Sequence, residues 1–454
     1  MNLHILYHTA IAGLALLLTS CIGGSKVDQA ASEATLTELK AGWQMPPQDA
    51  RPRVWWHWMN GNITKEGIRK DLEWMKRIGL GGFQNFDASL GTPQIVDKRL
   101  IYMDEGWQEA FAYATRLADS LGLEMAIASA PGWSSTGGPW VEPKDAMKKL
   151  VWKTLDIEGG SQISCPLPEP DKSTGPIRNG RQGPGQWEVS PYQHYEDIAV
   201  IAMRQAVDES DKITEKDVLD ITGKTDSSGN INWSAPEGKW RIYRFGWSLT
   251  GKMNHPAPPE ATGLEVDKLD PVAWKKFFVA YLDMYKKASN GLMGERGIQY
   301  VLTDSYEAGP QTWTPAMFDE FAKRRGYDLH TWLPVLAGAV ISSKEKSEAF
   351  VRDWEKTIGE LIKENYDQLT QIAQRDYGMK GRYTEAHEGG RVFIADGMDL
   401  KATAQVPMSA MWCSAMWLGK LPDATPTAAC TRPTTASRRR WHTSTDKTSL
   451  PPNR

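Results

Sequence analysis

Stretches in which apolar residues recur every three to four positions alternate with short unbroken apolar runs along much of the chain. The run RVWWHWMNG (53–61) reads as a strand. Thr64 then stands as a helix N-cap, Ile68, Leu72, Met75 and Ile78 follow at helical spacing, and Gly79 stops the helix. GGFQNFDAS (81–89) is the next strand. A helix from about Asp104 buries Trp107, Phe111, Ala114 and Leu117 and ends at Gly122. EMAIASA (124–130) is a third strand. Strand–helix–strand–helix–strand with short connections predicts a parallel sheet or barrel.

The rhythm changes between about 150 and 265. Gly/Pro-rich turns separate β-like runs such as EDIAVIAMR (196–204) and KWRIYRFGWSLTG (239–251), which predict an inserted β-rich subdomain. Helical alternation resumes at Asp270-Pro271, a cap followed by proline in the first turn. VLTDS (301–305) is the fourth strand. Thr314-Pro315 opens a helix that Gly326 closes. A long helix carrying Phe350, Trp354, Ile358 and Leu361 leads to GRYTEAH (381–387), the fifth strand, and a weaker sixth lies around 402–408. The expected class is α/β: an incomplete (β/α)8-type barrel in two parts, 51–149 and 269–423, interrupted by the subdomain at 150–268.

The two ends follow different rules. Residues 1–21 are apolar and finish in LLLTSC, which resembles a bacterial lipobox with Cys21 as the lipidated residue. A plain secretory signal is the alternative. Residues 22–50 then read as a tether, which predicts an outer-membrane lipoprotein in a bacterial envelope, facing the periplasm or the exterior. Residues 424–454 are rich in Thr, Pro and Arg and lack periodicity. They are either a disordered tail or out-of-frame sequence. Codons that encode residues 440–454 can spell, one base out of frame, a strand-like peptide ending in Ala-Ala-Glu-Ser, and the frameshift is the favoured reading.

The 454 residues carry a formal charge of −3, which gives no footprint for nucleic acid. Cys165, Cys413 and Cys430 have neither metal-ligand spacing nor a disulfide pattern. The 20 tryptophans suit sugar rings and also fill cores.

In a barrel, residues just beyond each strand converge on one mouth. Here they include His57, Trp58 and Asn60, then Asn85 and Asp87, then Trp133 and Ser134, then Asp304 and Glu307, and finally Glu385, His387 and Glu388. Acids, amides, imidazoles and indoles suit a neutral polyol. Paired carboxylates are what glycoside hydrolysis needs, one to protonate the leaving oxygen and one to activate water. Each residue also has a plainer reading. Asp304 can cap a turn, Glu388 can be a solvated loop acid, and His57 can be a hydrogen-bonded core histidine.

RVWWHWMNGNIT (53–64), GLGGFQNF (79–86), SAPGWSSTGGPWV (129–141), GLEVDKLD (263–270), LTDSYEAG (302–309) and EAHEGG (385–390) occur in this order. Together they resemble glycoside hydrolase family 106, the α-L-rhamnosidase family, over roughly residues 50 to 423. The resemblance implies a barrel with β-rich additions and a calcium-dependent inverting mechanism acting on α-L-rhamnosyl linkages of oligo- or polysaccharides. It makes Glu307 the general acid. It places Glu385 near the sugar and its calcium. The strand-end reading adds Glu388 as a second metal-side acid and His57, Asn60, Asp87, Trp133, Asp304 and His387 as substrate contacts. One departure stands out. The family expectation is a carboxylate after a Pro-Met pair, and this chain reads Pro407-Met408-Ser409-Ala410. The base is then Glu385 or Glu388, or the chain is a non-catalytic glycan-binding lipoprotein or an inactive truncated product. DNA sequenced past codon 420 is expected to restore the Ala-Ala-Glu-Ser reading frame; an intact frame there leaves the tail as encoded.

Overall fold

The computed structural model describes residues 36–177, 192–386 and 395–409. Local signals set the first helices. Thr64 accepts from the Gly67 N–H to start α1 (Lys65–Arg77), which buries Ile68, Leu72 and Met75. Asp104 accepts from the Trp107 N–H to start α2 (Glu105–Ser120). These helices alternate with β1 (Arg53–Met59), β2 (Gly82–Ala88) and β3 (Glu124–Ala128).

The inserted unit follows. Its strands are β4 (Lys148–Glu158), β5 (Gln162–Pro166), β6 (Tyr195–Arg204), β7 (Val218–Asp220), β8 (Asn230–Ser234) and β9 (Lys239–Leu249). They form an antiparallel sheet in the order β4-β9-β6-β7 and a β5-β8 ribbon. Val200, Ile231, Trp233, Trp240 and Ile242 form a core of their own.

Asp270 caps α3 (Pro271–Ala288), and the chain returns to the first sheet with β10 (Ile298–Ser305). Next come α4 (Met317–Arg325), closed by Gly326 at φ 79°, and α5 (Lys344–Gln371), capped by Ser343. β11 (Gly381–Ala386), α6 (Gly397–Ala402) and β12 (Val406–Pro407) complete the described chain. The parallel sheet runs β1-β2-β3-β10-β11-β12, the order in which its strands occur in the chain. Among the described residues it does not close, since β1 and β12 each pair with one neighbour. No helix among the described residues is long and apolar enough to cross a membrane.

The sheet's two faces differ. One packs on the helices through Trp58, Phe83, Met125, Ile127 and Val301. The other, the inner face, is layered. At the strands' N-terminal end Arg53 makes a two-pronged ion pair with Glu124, at 3.1 and 3.0 Å, and the Tyr383 hydroxyl donates to the same carboxylate. Above lie Phe86, Ala126, Ala128 and Leu302. Asp304 and Glu385 occupy the C-terminal end.

Three loops and the first residue of β4 meet in a buried charge network. Lys148, at the start of β4, donates to Asp267 at 2.9 Å, and both are fully buried. Lys268 is paired with Glu265, which also accepts from the Thr136 hydroxyl at 2.8 Å. Gln311 and Thr314, beyond β10, donate to Asp267. GLEVDKLD therefore ties the insert to the loops after β3 and β10. Removing one partner of a buried pair strands the other charge, which costs about 3–5 kcal/mol. Lys148→Met is expected to destabilise by that amount in urea unfolding, and adding Asp267→Leu is expected to recover most of it.

Candidate functional site

Thr303 pairs with Thr384 and Ser305 with Ala386 across β10 and β11. Asp304 and Glu385 consequently project side by side from the inner face, while Thr303 and Thr384 point back and join hydroxyls at 2.8 Å. Asp304 and Glu385 are both buried and share a hydrogen bond. Two carboxyls in one dry place cannot both ionise cheaply. Burial, then the bond and charge of Glu385, push the Asp304 carboxyl up to about 9, with Glu307 adding to the repulsion.

Glu307 sits just beyond β10, two residues after Ser305. The Ser305 hydroxyl donates to Glu307 Oε1 at 2.9 Å. The turn is fixed by the Tyr306 N–H on the Ala386 carbonyl at 3.0 Å and by the Tyr306 hydroxyl on the Gly309 carbonyl at 2.9 Å. His255 Nε2 lies 3.8 Å from Glu307 Oε2.

The part of the inner face on β1 and β2, with the loop after β3, is aromatic. His57 stacks on Phe86 with ring centres 5.1 Å apart, and the Trp133 indole N–H donates to His57 Nε2 at 3.2 Å. Burial lowers the His57 pKa. Its Nε2 is thus an acceptor and its ring is neutral. Trp133 packs on the inner-face layer with Tyr300 and Met408.

The structure brings His57, Trp133, Asp304, Glu307 and Glu385 to the inner face and its rim. It does not bring Asp87. That side chain alternates with Phe86 and so points into the helix layer, where it accepts from the Trp107 indole at 2.8 Å. Burial raises its carboxyl to about 7. Asp87 is therefore corrected from a substrate contact to a buried helix-layer residue. Asn60 holds φ 51° at the end of β1, and its amide donates to the Thr92 carbonyl at 2.7 Å, supporting the loop after β2. Cys21, His387 and Glu388 lie outside the described residues.

His255 escaped the sequence reading. It stands in GKMNHPAPPE (251–260), a turn-rich stretch after β9 that carries no strand-end signal. A lone histidine before a proline in such a return loop was the available clue.

Among the described residues no group of three or more His, Cys, Asp or Glu could hold a metal ion. Asp304 and Glu385 nevertheless present adjacent oxygen donors, the chemistry a hard cation takes.

A parallel sheet with carboxylates at its strand ends and a glycoside hydrolase profile matched over most of its length defines the class of this chain. The profile is that of family 106, described as alpha-L-rhamnosidase, and it matches residues 44–214 and 204–428; the chain belongs to that family. It is 32% identical to a protein of Formosa agariphila provisionally named a beta-glucuronidase, covering 88% of this chain and 34% of that protein. It superposes on a rhamnosidase from Novosphingobium sp. PP1Y with a TM-score of 0.75 and 32% identity, over 83% of this chain and 50% of that one. The chain thus spans about a third of the curated relative and half of the solved structure.

A carboxyl whose pKa rises on folding binds its proton more tightly in the native state, so stability is lost as pH rises through that interval. With Asp304 moving from 3.8 to about 9, stability in chelator-containing buffer is expected to fall between those pH values. Asp304→Asn is expected to flatten that slope in urea melts taken across the range.

Proposed function

We propose that this chain is the catalytic part of a hydrolase that removes α-L-rhamnosyl units from a glycan. The observation that carries the reading is the set of three carboxylates on two adjacent strand ends, Glu307 beside the Asp304–Glu385 pair, on the same sheet face as an indole and an imidazole. Family membership supports the substrate class.

Glu307 protonates the leaving oxygen as the glycosidic bond breaks. Glu385, or Glu388, receives the proton of the attacking water. Inversion calls for about 6.5–9.5 Å between the two carboxyls. A calcium ion is proposed at the Asp304–Glu385 face, where it would fix the sugar hydroxyls. The parallel sheet is read as six strands of an eight-stranded barrel. Export and lipidation at Cys21 complete the proposal, resting on residues 1–21.

A second name among the relatives points to glucuronides. The family described as alpha-L-rhamnosidase and the superposition on a rhamnosidase favour a rhamnoside over a glucuronide. Aryl rhamnosides are expected to be cleaved in preference to aryl glucuronides, and chelator is expected to reduce the rate.

General-acid catalysis contributes about 10²–10⁴-fold. Glu307→Gln is expected to lose that much on alkyl rhamnosides and far less on dinitrophenyl rhamnoside, whose leaving group needs no proton. Equal turnover of alkyl rhamnosides by the variant and the parent sinks the assignment of the acid. Binding without turnover in the parent selects the glycan-binding reading.

A further inference from the structure

We propose that His255, delivered by the return loop of the inserted unit, is the electrostatic partner of Glu307 and a positioning residue for that acid. Its catalytic consequence rests on the hydrolase reading above; the pairing itself rests on geometry.

The imidazole Nε2 is 3.8 Å from Glu307 Oε2, and the two side chains differ in access, 39% exposed for His255 and 9% for Glu307. The loop that brings His255 here is fastened from three directions. The Trp133 N–H donates to the His255 carbonyl at 2.9 Å, and the His255 N–H donates to Ser134 Oγ at 3.0 Å. The Ser89 N–H, beyond β2, donates to the Pro256 carbonyl at 2.7 Å. Asn254 donates to the carbonyls of Pro131 and Ala261, each at 3.0 Å. Gly132 permits the approach: at φ +80°, a Cβ there would sit 2.6 Å from the His255 carbonyl.

The chemistry follows from charge. When Glu307 gives its proton to the leaving oxygen, the glycosidic electron pair stays on that oxygen and Glu307 becomes a carboxylate. The one negative charge that the Asp304–Glu385 pair retains opposes that new charge, and an imidazolium beside it favours the charge. His255 thus counters the neighbouring acids and keeps Glu307 a competent donor rather than one that holds its proton too tightly. Among the described residues, the titratable groups of the same inner face are Asp304 on β10, Glu385 on β11 and His57 on β1. Along the loop of His255 itself, Lys252 acts on Glu265, and Glu260 is closed on Arg99.

Histidine side-chain NMR titration of the full chain, parent against Glu307→Gln, reads the pair directly. Loss of the carboxylate is expected to lower the His255 midpoint by about half a unit or more. Reciprocally, His255→Gln is expected to raise the basic limb of kcat/KM by a similar amount. It is also expected to slow alkyl rhamnosides several-fold more than dinitrophenyl rhamnoside, with the urea midpoint unchanged. A His255 midpoint that ignores Glu307→Gln, or a basic limb that stays or moves down in His255→Gln, overturns the proposal. A midpoint shift in a chain that turns over no rhamnoside upholds the pair and removes the hydrolase reading. Turnover without the shift does the reverse.

Discussion

Two lysines with no access to water hold the site together. Lys148 on Asp267 and Lys268 on Glu265 lie where the insert leaves and rejoins the parallel sheet, and their carboxylates also accept from Thr136, Gln311 and Thr314. Desolvating such charges is costly, and the cost is offset only while every partner stays in place. The network therefore couples three things that could otherwise drift: the loop carrying Trp133, the loop beyond Glu307, and the root of the insert that supplies His255. An apolar contact of equal area would tolerate sliding. A set of directional bonds to buried charges does not.

The inner face of the sheet sorts its chemistry by height. Charge is neutralised at the N-terminal end by Arg53 on Glu124, the middle is apolar, and the carboxyls of Asp304 and Glu385 are concentrated at the C-terminal end. Period-two alternation produces this directly. Tyr383 and Glu385 share a face of β11, as do Leu302 and Asp304 of β10, so one strand supplies both a buttress below and a reactive group above. The side chains between them, Thr303 and Thr384, face outward, where they link the two strands and present Thr303 to the buried Arg382 guanidinium at 3.0 Å.

Most of this was legible in the chain. Caps at Thr64, Asp104 and Asp270 and the stop at Gly326 stand where the pattern put them, because such signals act within a turn of their own residue. Asp304, Glu307 and Glu385 stand together at or just past the ends of β10 and β11, because an apolar run ending in acid marks a strand's end directly in the sequence. The helix after Thr314-Pro315 starts two residues later, at Met317, since Thr314 is drawn into the charge network instead of capping. Asp87 was misplaced because "just past the strand" does not say which face. One residue of alternation separates the inner Phe86 from the outer Asp87. His255 was not found because its position comes from tertiary fastening of an irregular loop, which leaves no periodic trace.

The proton held between Asp304 and Glu385 occupies the place a cation would take. A proton shared by two buried carboxyls offsets part of their mutual repulsion. Any divalent ion drawn to these oxygens has to evict that proton. Its apparent affinity then climbs with pH, by about tenfold for each unit while one proton is released. The pair is in this sense a competition between two positive charges for one seat, and the acidity of the surroundings decides which one sits there.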